Sequence, residues 1–195
     1  PKYSQSVVTI APNFAPPVVA VMVTDEPGAW FDEVLDGLAG QDYENFRVLV
    51  MDRGTRSIES RVLDKMPDAV VRQALDAKGF GDAANQVQTL VEGSAFFLFL
   101  RDDVALAPDA LRLLVAEALD SNAGVLGPKI LEWDDSTRIL AMGGAVDAFG
   151  VLTPYVESGE LDQQQHDRVR EAFTVTGAAM LVRADLFATI GGFDP

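Results

Sequence analysis

Apolar and polar positions along the chain follow two periods, one typical of buried strands and one typical of amphipathic helices. Residues 18–23 (VVAVMV) and 95–100 (AFFLFL) are continuous apolar runs, a pattern that favours strands covered on both faces. Between them, apolar residues recur every three or four positions, as from Trp30 to Leu38. Strands and helices alternate at intervals of roughly 25 residues, which predicts an α/β fold: a mostly parallel twisted sheet with helices on both faces.

The predicted elements cover most of the chain. Strands are predicted at 18–23, 46–51, 69–71, 95–100, 124–126 and 174–182, and helices at 30–38, 58–66, 82–91, 108–119 and 184–190. Ser57 is the predicted cap of the second helix, and Pro108 suits the first turn of the fourth. Residues 131–156 are rich in glycine and show no helical periodicity, and residues 157–171 are polar.

The composition excludes several classes of function. The 195 residues include no cysteine, which excludes disulfides, thiolate nucleophiles and cysteine-based metal sites. The 15 basic and 30 acidic residues give a net charge of −15, and the basic residues do not cluster, so nucleic acid is not an expected partner. The longest apolar runs are far shorter than the ~20 residues that span a bilayer.

The chain is interpreted as one domain with a short N-terminal extension. Residues 1–16 are assigned to a leader or linker, and they lack the long apolar segment of a secretory signal. Residues 17–195 are assigned to the domain. The sequence ends directly after the predicted turn at 193–195, so we expect a C-terminally truncated piece of a longer protein.

Acidic residues follow three of the predicted strands. Asp25 follows the first strand, Asp52 the second, and Asp102 and Asp103 follow the strand 95–100. Each alone is explained by the preference of aspartate for turns and helix caps. Ligands bind beyond the carboxyl ends of parallel strands, so together these carboxylates are expected to converge on one crevice. An acidic protein needs a cation to hold an anionic diphosphate there, which predicts a Mg²⁺ or Mn²⁺ site at Asp102 and Asp103.

The residues also carry a family resemblance. Residues 18–55, 78–115 and 175–195, in this order, resemble family-2 glycosyltransferases of the GT-A fold, and residues 124–150 are similar to the rhamnosyl- and galactofuranosyl-transferase-like members. The resemblance implies transfer of a sugar, with inversion, from a nucleotide-sugar donor to a hydroxyl of a glycan or glycolipid. It further implies a divalent metal and a role in cell-envelope polysaccharide synthesis in the cytoplasm, with membrane association through the missing C-terminal region.

The resemblance assigns roles to residues on the donor side. Thr24 and Asp25 stand where the first strand meets the nucleotide, and Asp52 matches the acid that hydrogen-bonds the base. Lys78 opens a Lys-Gly segment that ends at Asn85.

Further roles concern the metal and the acceptor. Arg101-Asp102-Asp103 stands where the family has Asp-x-Asp, so that Asp102 contacts the donor and Asp103 holds the metal. Gly177 and Asp194 lie in segments that match the acceptor side. Trp133 is an acceptor-side candidate because it lies beside two acids in the glycine-rich region.

Three positions depart from the family pattern, and the catalytic base has no candidate. Arg101 replaces the first acid of Asp-x-Asp, Arg53 replaces the second acid of an Asp-Asp-Gly motif, and Ala84 stands where many members have arginine. The base is expected beyond Pro195, so this fragment is expected to be inactive.

Two alternatives from other classes stay open. An arginine in place of the first acid, as at Arg101, would also be expected in a degenerate, non-catalytic nucleotide- or glycan-binding module. In a structural or interaction domain, the acids would serve only as caps and turns.

Overall fold

The computed structural model of the protein describes residues 15–194 and is built on a six-stranded sheet. The strands are β1 (Val18–Thr24), β2 (Phe46–Asp52), β3 (Val70–Gln73), β4 (Phe96–Arg101), β5 (Val125–Leu126), β6 (Ile130–Leu131), β7 (Arg138–Ala141), β8 (Gly144–Val146), β9 (Leu152–Pro154), β10 (Glu160–Leu161) and β11 (Ala179–Arg183). The helices are α1 (Phe31–Ala39), α2 (Glu59–Lys65), α3 (Phe80–Asn85), α4 (Val87–Leu90), α5 (Ala110–Ser121) and α6 (Ala184–Ile190). The predicted leader lies outside the described residues except for Ala15 and Pro16.

The order of the strands reverses at one edge of the sheet. The order is β3-β2-β1-β4-β11-β5, in which β3, β2, β1 and β4 are parallel and β11 is antiparallel to both of its neighbours. From β1 the chain builds outward through β2 and β3, then returns to place β4 on the other side of β1. This reversal between β1 and β4 is the position at which open α/β sheets bind ligands.

Helices cover both faces of the sheet, as the sequence predicts. Successive side chains of a strand point to opposite faces, and along β1 Met22 belongs to one core cluster and Val21 to the other. The first cluster includes buried residues of α1, α2 and α5, and the second those of α3, α4 and α6. The α/β class with a mostly parallel sheet is therefore confirmed. Within residues 15–194, no helix is long and apolar enough to cross a membrane.

Two predicted elements differ from the observed ones for local reasons. The single helix predicted at 82–91 is divided into α3 and α4, because the turn tightens at Gln86, whose N–H donates to Ala83 O. The strand predicted at 174–182 is paired with β4 only from Ala179. Residues before it leave the sheet because Thr174 bridges to Gly144 and Thr176 Oγ1 accepts the N–H of Ala178.

The glycine-rich region forms two small sheets rather than a structureless loop. One sheet has the order β10-β7-β6 and the other pairs β8 with β9. Gly143 precedes β8 with φ 76°, and a Cβ there would lie 2.6 Å from Thr174 O, so the turn requires glycine. Lys129 Nζ lies 2.6 Å from carboxylate oxygens of both Asp162 and Asp167, and its hydrogen bond lowers the pKa of Asp162. These ion pairs attach the polar segment to the connection between β5 and β6.

Replacing Phe99 with alanine is expected to destabilise the domain strongly. Its ring is fully buried, with its centroid 4.8 Å from those of both Phe187 and Phe193. We expect the free energy of unfolding to fall by about 3–5 kcal/mol in urea denaturation, because the truncation leaves a cavity in a packed cluster. Phe149 is 92% exposed, so Phe149→Ala should change it by less than about 0.5 kcal/mol. Equal losses in the two variants would contradict this account of the core.

Candidate functional site

The carboxyl ends of β1, β2 and β4 bring the predicted donor-side residues to one edge of the sheet. Thr24 at the end of β1 is aligned with Asp52 at the end of β2, and Val23 with Arg101 at the end of β4. Neighbouring strands are ~4.8 Å apart, so Asp52 and the residues after β4 are separated by about 10 Å, with β1 between them. At this edge the strand order reverses between β1 and β4.

A hydrogen bond between Thr24 and Asp102 links the end of β1 to the residues that follow β4. The buried Thr24 hydroxyl donates a hydrogen bond of 2.6 Å to Asp102 Oδ2, and the backbone N–H of Asp25 lies 3.4 Å from the same oxygen. A hydrogen bond to a carboxylate is stronger than one between neutral groups. Asp102 is thereby held beside the end of β1.

Asp52 is fully buried, and nitrogen donors occupy both of its carboxylate oxygens. Oδ1 accepts the N–H of Gly54 at 2.9 Å, and Oδ2 accepts the side-chain amide of Gln73 at 3.3 Å. The family resemblance implies that Asp52 hydrogen-bonds the base of the nucleotide. With Gln73 in this position, the carboxylate is instead covered by the chain's own amide group.

Arg53 ties together the loops that follow three parallel strands. Its Nη1 lies 3.5 Å from Asp25 Oδ2 in the loop after β1, and its Nε donates to Ala77 O, in the loop after β3, at 3.3 Å. The backbone N–H of Arg53 donates to Thr24 O at 2.9 Å. The departure from the family pattern at this position therefore has a structural consequence, since an acidic side chain could not make the contacts to Asp25 and Ala77.

Arg101 occupies both carboxylate oxygens of Asp103. Its Nε lies 3.1 Å from Oδ1 and its Nη2 2.7 Å from Oδ2, which is the bidentate arrangement of a guanidinium and a carboxylate. Both side chains are partly exposed. The backbone N–H of Arg101 donates to Ala178 O at 3.0 Å, which places the turn of Gly177 beside it.

The acidic residues share one edge of the sheet, but they are not grouped as the ligands of a preformed metal site. Within residues 15–194, no group of three histidine, cysteine or acidic residues is arranged to hold a metal ion. Mg²⁺, however, is often bound by one or two carboxylates completed by substrate phosphates. Asp102 and Asp103 provide hard oxygen ligands in adjacent positions. They fit a cation that a diphosphate helps to coordinate, and they do not form a preformed protein cage.

Helix α3 connects the predicted donor side to the predicted acceptor side. Lys78 precedes it, and the Lys78 backbone N–H donates to Asp82 in its first turn at 3.0 Å. At the other end, the Asn85 amide donates to Phe193 O at 2.9 Å and accepts from Phe193 N at 2.8 Å. Asp194 consequently lies against Gly81, where a Cβ would be 3.0 Å from Asp194 O.

Two predicted acceptor-side residues remain: Gly177 lies beside the strand-end residues, and Trp133 is not linked to them. Gly177 lies in the turn before β11, next to the Ala178 carbonyl that Arg101 contacts. Trp133 lies half exposed in the connection between β6 and β7, in a separate sheet. Among the described residues, no hydrogen bond or ion pair joins Trp133 to the strand-end side chains.

Sequence reasoning missed Gln73 and the partner of Asn85, which both help to arrange this site. Gln73 ends β3 in register with Asp52, and only the pairing of β3 with β2 identifies it. Asn85 is recognisable in the sequence as the end of the Lys-Gly segment, but its partner is 108 positions away. The sequence offered no signal for Gln73, because the predicted strand ended at residue 71 and the observed β3 extends to residue 73.

The comparisons with known proteins agree with this architecture. The model of glycosyltransferase like family 2 matches residues 16–195, and the chain belongs to that family. No curated protein matches the chain in sequence. Solved structures with a similar fold include Staphylococcus aureus (S. aureus) TarS 1–349, with 19% identity and a TM-score of 0.64 over 92% of this chain and 50% of that one.

Two further TarS 1–349 structures contain nucleotides. The complex with UDP has 20% identity and a TM-score of 0.63, covering 92% of this chain and 50% of that one. The complex with UDP-GlcNAc has 19% identity and a TM-score of 0.62, covering 92% and 48%. These likenesses establish the GT-A fold of the chain, which spans about half the length of TarS 1–349.

Replacing Thr24 with valine tests the hydrogen bond from Thr24 to Asp102. Valine keeps the shape but leaves Asp102 without its hydroxyl donor, so we expect the free energy of unfolding to fall by about 1.5–3 kcal/mol in urea. Thr189→Val is the matched control, because the Thr189 hydroxyl contacts only the helix backbone at an exposed position. A Thr24→Val loss no larger than that of the control would show that the contact is unimportant.

Proposed function

We propose that this domain transfers a sugar from a nucleotide-sugar donor to a hydroxyl group of a glycan or glycolipid acceptor, with inversion at the anomeric carbon. The observation that carries the proposal is the set of Thr24, Asp52 and Asp102 at the edge where strand order reverses, in a chain that belongs to glycosyltransferase like family 2. The TarS complexes with UDP and UDP-GlcNAc support a UDP-sugar as the first donor to test.

The transfer is a single displacement. The acceptor oxygen forms a bond to the anomeric carbon while the bond from that carbon to the diphosphate oxygen breaks, and its electron pair leaves with the nucleoside diphosphate. The hydroxyl proton passes to a general base, for which residues 15–194 give no assignment. The resemblance of residues 124–150 to rhamnosyl- and galactofuranosyl-transferase-like members supports a cell-envelope glycan as the first acceptor to test.

Asp52 would bind the base by exchanging one nitrogen donor for another. Gln73 donates to Asp52 Oδ2 from the exposed end of β3, and the ring N–H of a pyrimidine is a donor of the same kind. Displacement of the Gln73 amide would open the carboxylate, whose Oδ1 stays fixed by Gly54. Arg53 would keep the surrounding loops in place during this exchange.

The diphosphate would lie over the end of β4. A divalent cation, Mg²⁺ or Mn²⁺, at Asp103 would offset the charge of the diphosphate and stabilise the leaving nucleotide. Thr24 holds Asp102 in place beneath it. Asp194, which lies against α3, and Gly177, in the turn beside Arg101, would border the acceptor. Lys78 would add positive charge on the donor side.

A non-catalytic nucleotide-binding module is the second candidate, because Arg101 occupies both oxygens of Asp103. Such a module would bind nucleotide equally well in the presence of a chelator. It would also give no turnover in the full-length protein.

Calorimetric titration with UDP-, dTDP- and GDP-sugars, with and without Mn²⁺, tests the proposal. We expect at least one nucleotide sugar to bind, and to bind more tightly with Mn²⁺. Binding that is unaffected by Mn²⁺ would favour the non-catalytic module. An absence of binding to every nucleotide would refute the donor site.

Replacing Asp52 with asparagine is expected to weaken binding of UDP and of uridine by the same factor, about 10- to 100-fold. The reason is the loss of a charged acceptor for the base, with a value of about 1.5–3 kcal/mol. Asp64→Asn, at an exposed position of α2, is the matched control and should bind normally.

Because Asp52 is buried, its replacement could also disturb folding, and Gln73→Ala provides an independent test. Removal of the competing amide should leave nucleotide affinity equal to or higher than that of the wild type. A large loss of affinity in Gln73→Ala would contradict the exchange of donors at Asp52.

A further inference from the structure

We propose that Arg101 couples nucleotide binding to cation binding: it caps Asp103 in the free protein and transfers its charge to the diphosphate when a nucleotide binds. The inference rests on the proposed donor site. It assigns a role to a residue that departs from the Asp-x-Asp pattern.

The cap follows from the geometry of Asp103. Both carboxylate oxygens lie within hydrogen-bond distance of the Arg101 guanidinium, at 3.1 and 2.7 Å. A cation can bind Asp103 only in competition with these contacts. The neighbouring Asp102 has Oδ2 engaged by Thr24, so three of the four carboxylate oxygens at this position already have donors from the chain.

The transfer follows from the exposure and chemistry of Arg101. More than half of its side chain is exposed, and an exposed ion pair contributes only ~0–1 kcal/mol, so little opposes its opening. A guanidinium binds phosphate oxygens in the same bidentate way as it binds a carboxylate. A diphosphate at the end of β4 therefore competes with Asp103 for Arg101, and the carboxylate released can bind a cation.

The charge of the protein favours this arrangement. The chain has a net charge of −15, and the strand-end acids would repel a diphosphate in the absence of a cation. Arg53 cannot provide the compensation, because it is held by Asp25 and Ala77. Arg101 ends β4 at the proposed diphosphate position, and within residues 15–194 only an exposed ion pair holds its side chain there.

The chain contains a matched control for this ion pair. Arg183 contacts Asp185 with the same separation of two residues and the same bidentate geometry, at 3.1 and 2.5 Å. Arg183 pairs in register with Phe96, at the opposite end of β4 from Arg101. Arg183→Ala therefore removes an equal charge and an equivalent ion pair away from the proposed donor site.

Titration of Mn²⁺ into the 195-residue chain without nucleotide, followed by the electron paramagnetic resonance of free Mn²⁺, tests the cap. We expect Arg101→Ala to bind Mn²⁺ about five- to tenfold more tightly than the wild type, because a competing ion pair and a nearby positive charge are lost. Arg183→Ala should match the wild type. Equal Mn²⁺ affinities in Arg101→Ala and Arg183→Ala would overturn the cap.

Titration of UDP and uridine in the presence of a chelator tests the transfer. We expect Arg101→Ala to bind UDP about tenfold more weakly and uridine unchanged, and Arg101→Lys to recover part of the UDP affinity. Equal effects on UDP and uridine would overturn the transfer. Failure of the wild type to bind either compound would refute the proposed donor site, whereas normal UDP binding with an unchanged Mn²⁺ affinity in Arg101→Ala would refute the coupling alone.

Discussion

The pairing of β1 with β4 is the constraint on which the rest of the structure depends. It places two strands that are distant in sequence side by side, parallel and in register, so that their carboxyl ends open at one edge. The hydrogen bond from Thr24 to Asp102 closes this junction at a distance of 2.6 Å. The residues assigned to the donor side lie near this junction, either at the ends of β1 and β2 or in the loops that follow β1, β3 and β4.

At the same edge, each of three carboxylates has a hydrogen-bond donor from the chain itself. Asp52 is satisfied by an amide, Asp102 by a hydroxyl and Asp103 by a guanidinium, all from the chain itself. Burial of a carboxylate without such partners would be costly. Under the proposed function, binding of a nucleotide sugar and a cation would exchange these partners for new ones. The energetic gain on binding would then be the difference between two sets of contacts.

The sequence predicted the central elements well because their apolar periods are strong. The apolar runs at β1 and β4 are typical of buried strands. Once these strands are predicted, the acidic residues directly after them are identified as strand-end residues. The short strands β6 to β10 were not predicted, since pairs of two to four residues leave no period to detect. The break at Gln86 was missed because it depends on a local hydrogen-bond pattern within a continuous helical sequence.

The sequence by itself determined the class of fold, the strands that end in acids and the departures at Arg53 and Arg101. These features depend on local periodicity and on residue identity. Only the tertiary structure decided which partner each side chain has: Gln73 on Asp52, Arg101 on Asp103, and Asn85 on Phe193. The physical reason is that burial and hydrogen bonding depend on distances across strands and between segments far apart in the chain, and a linear pattern does not contain those distances.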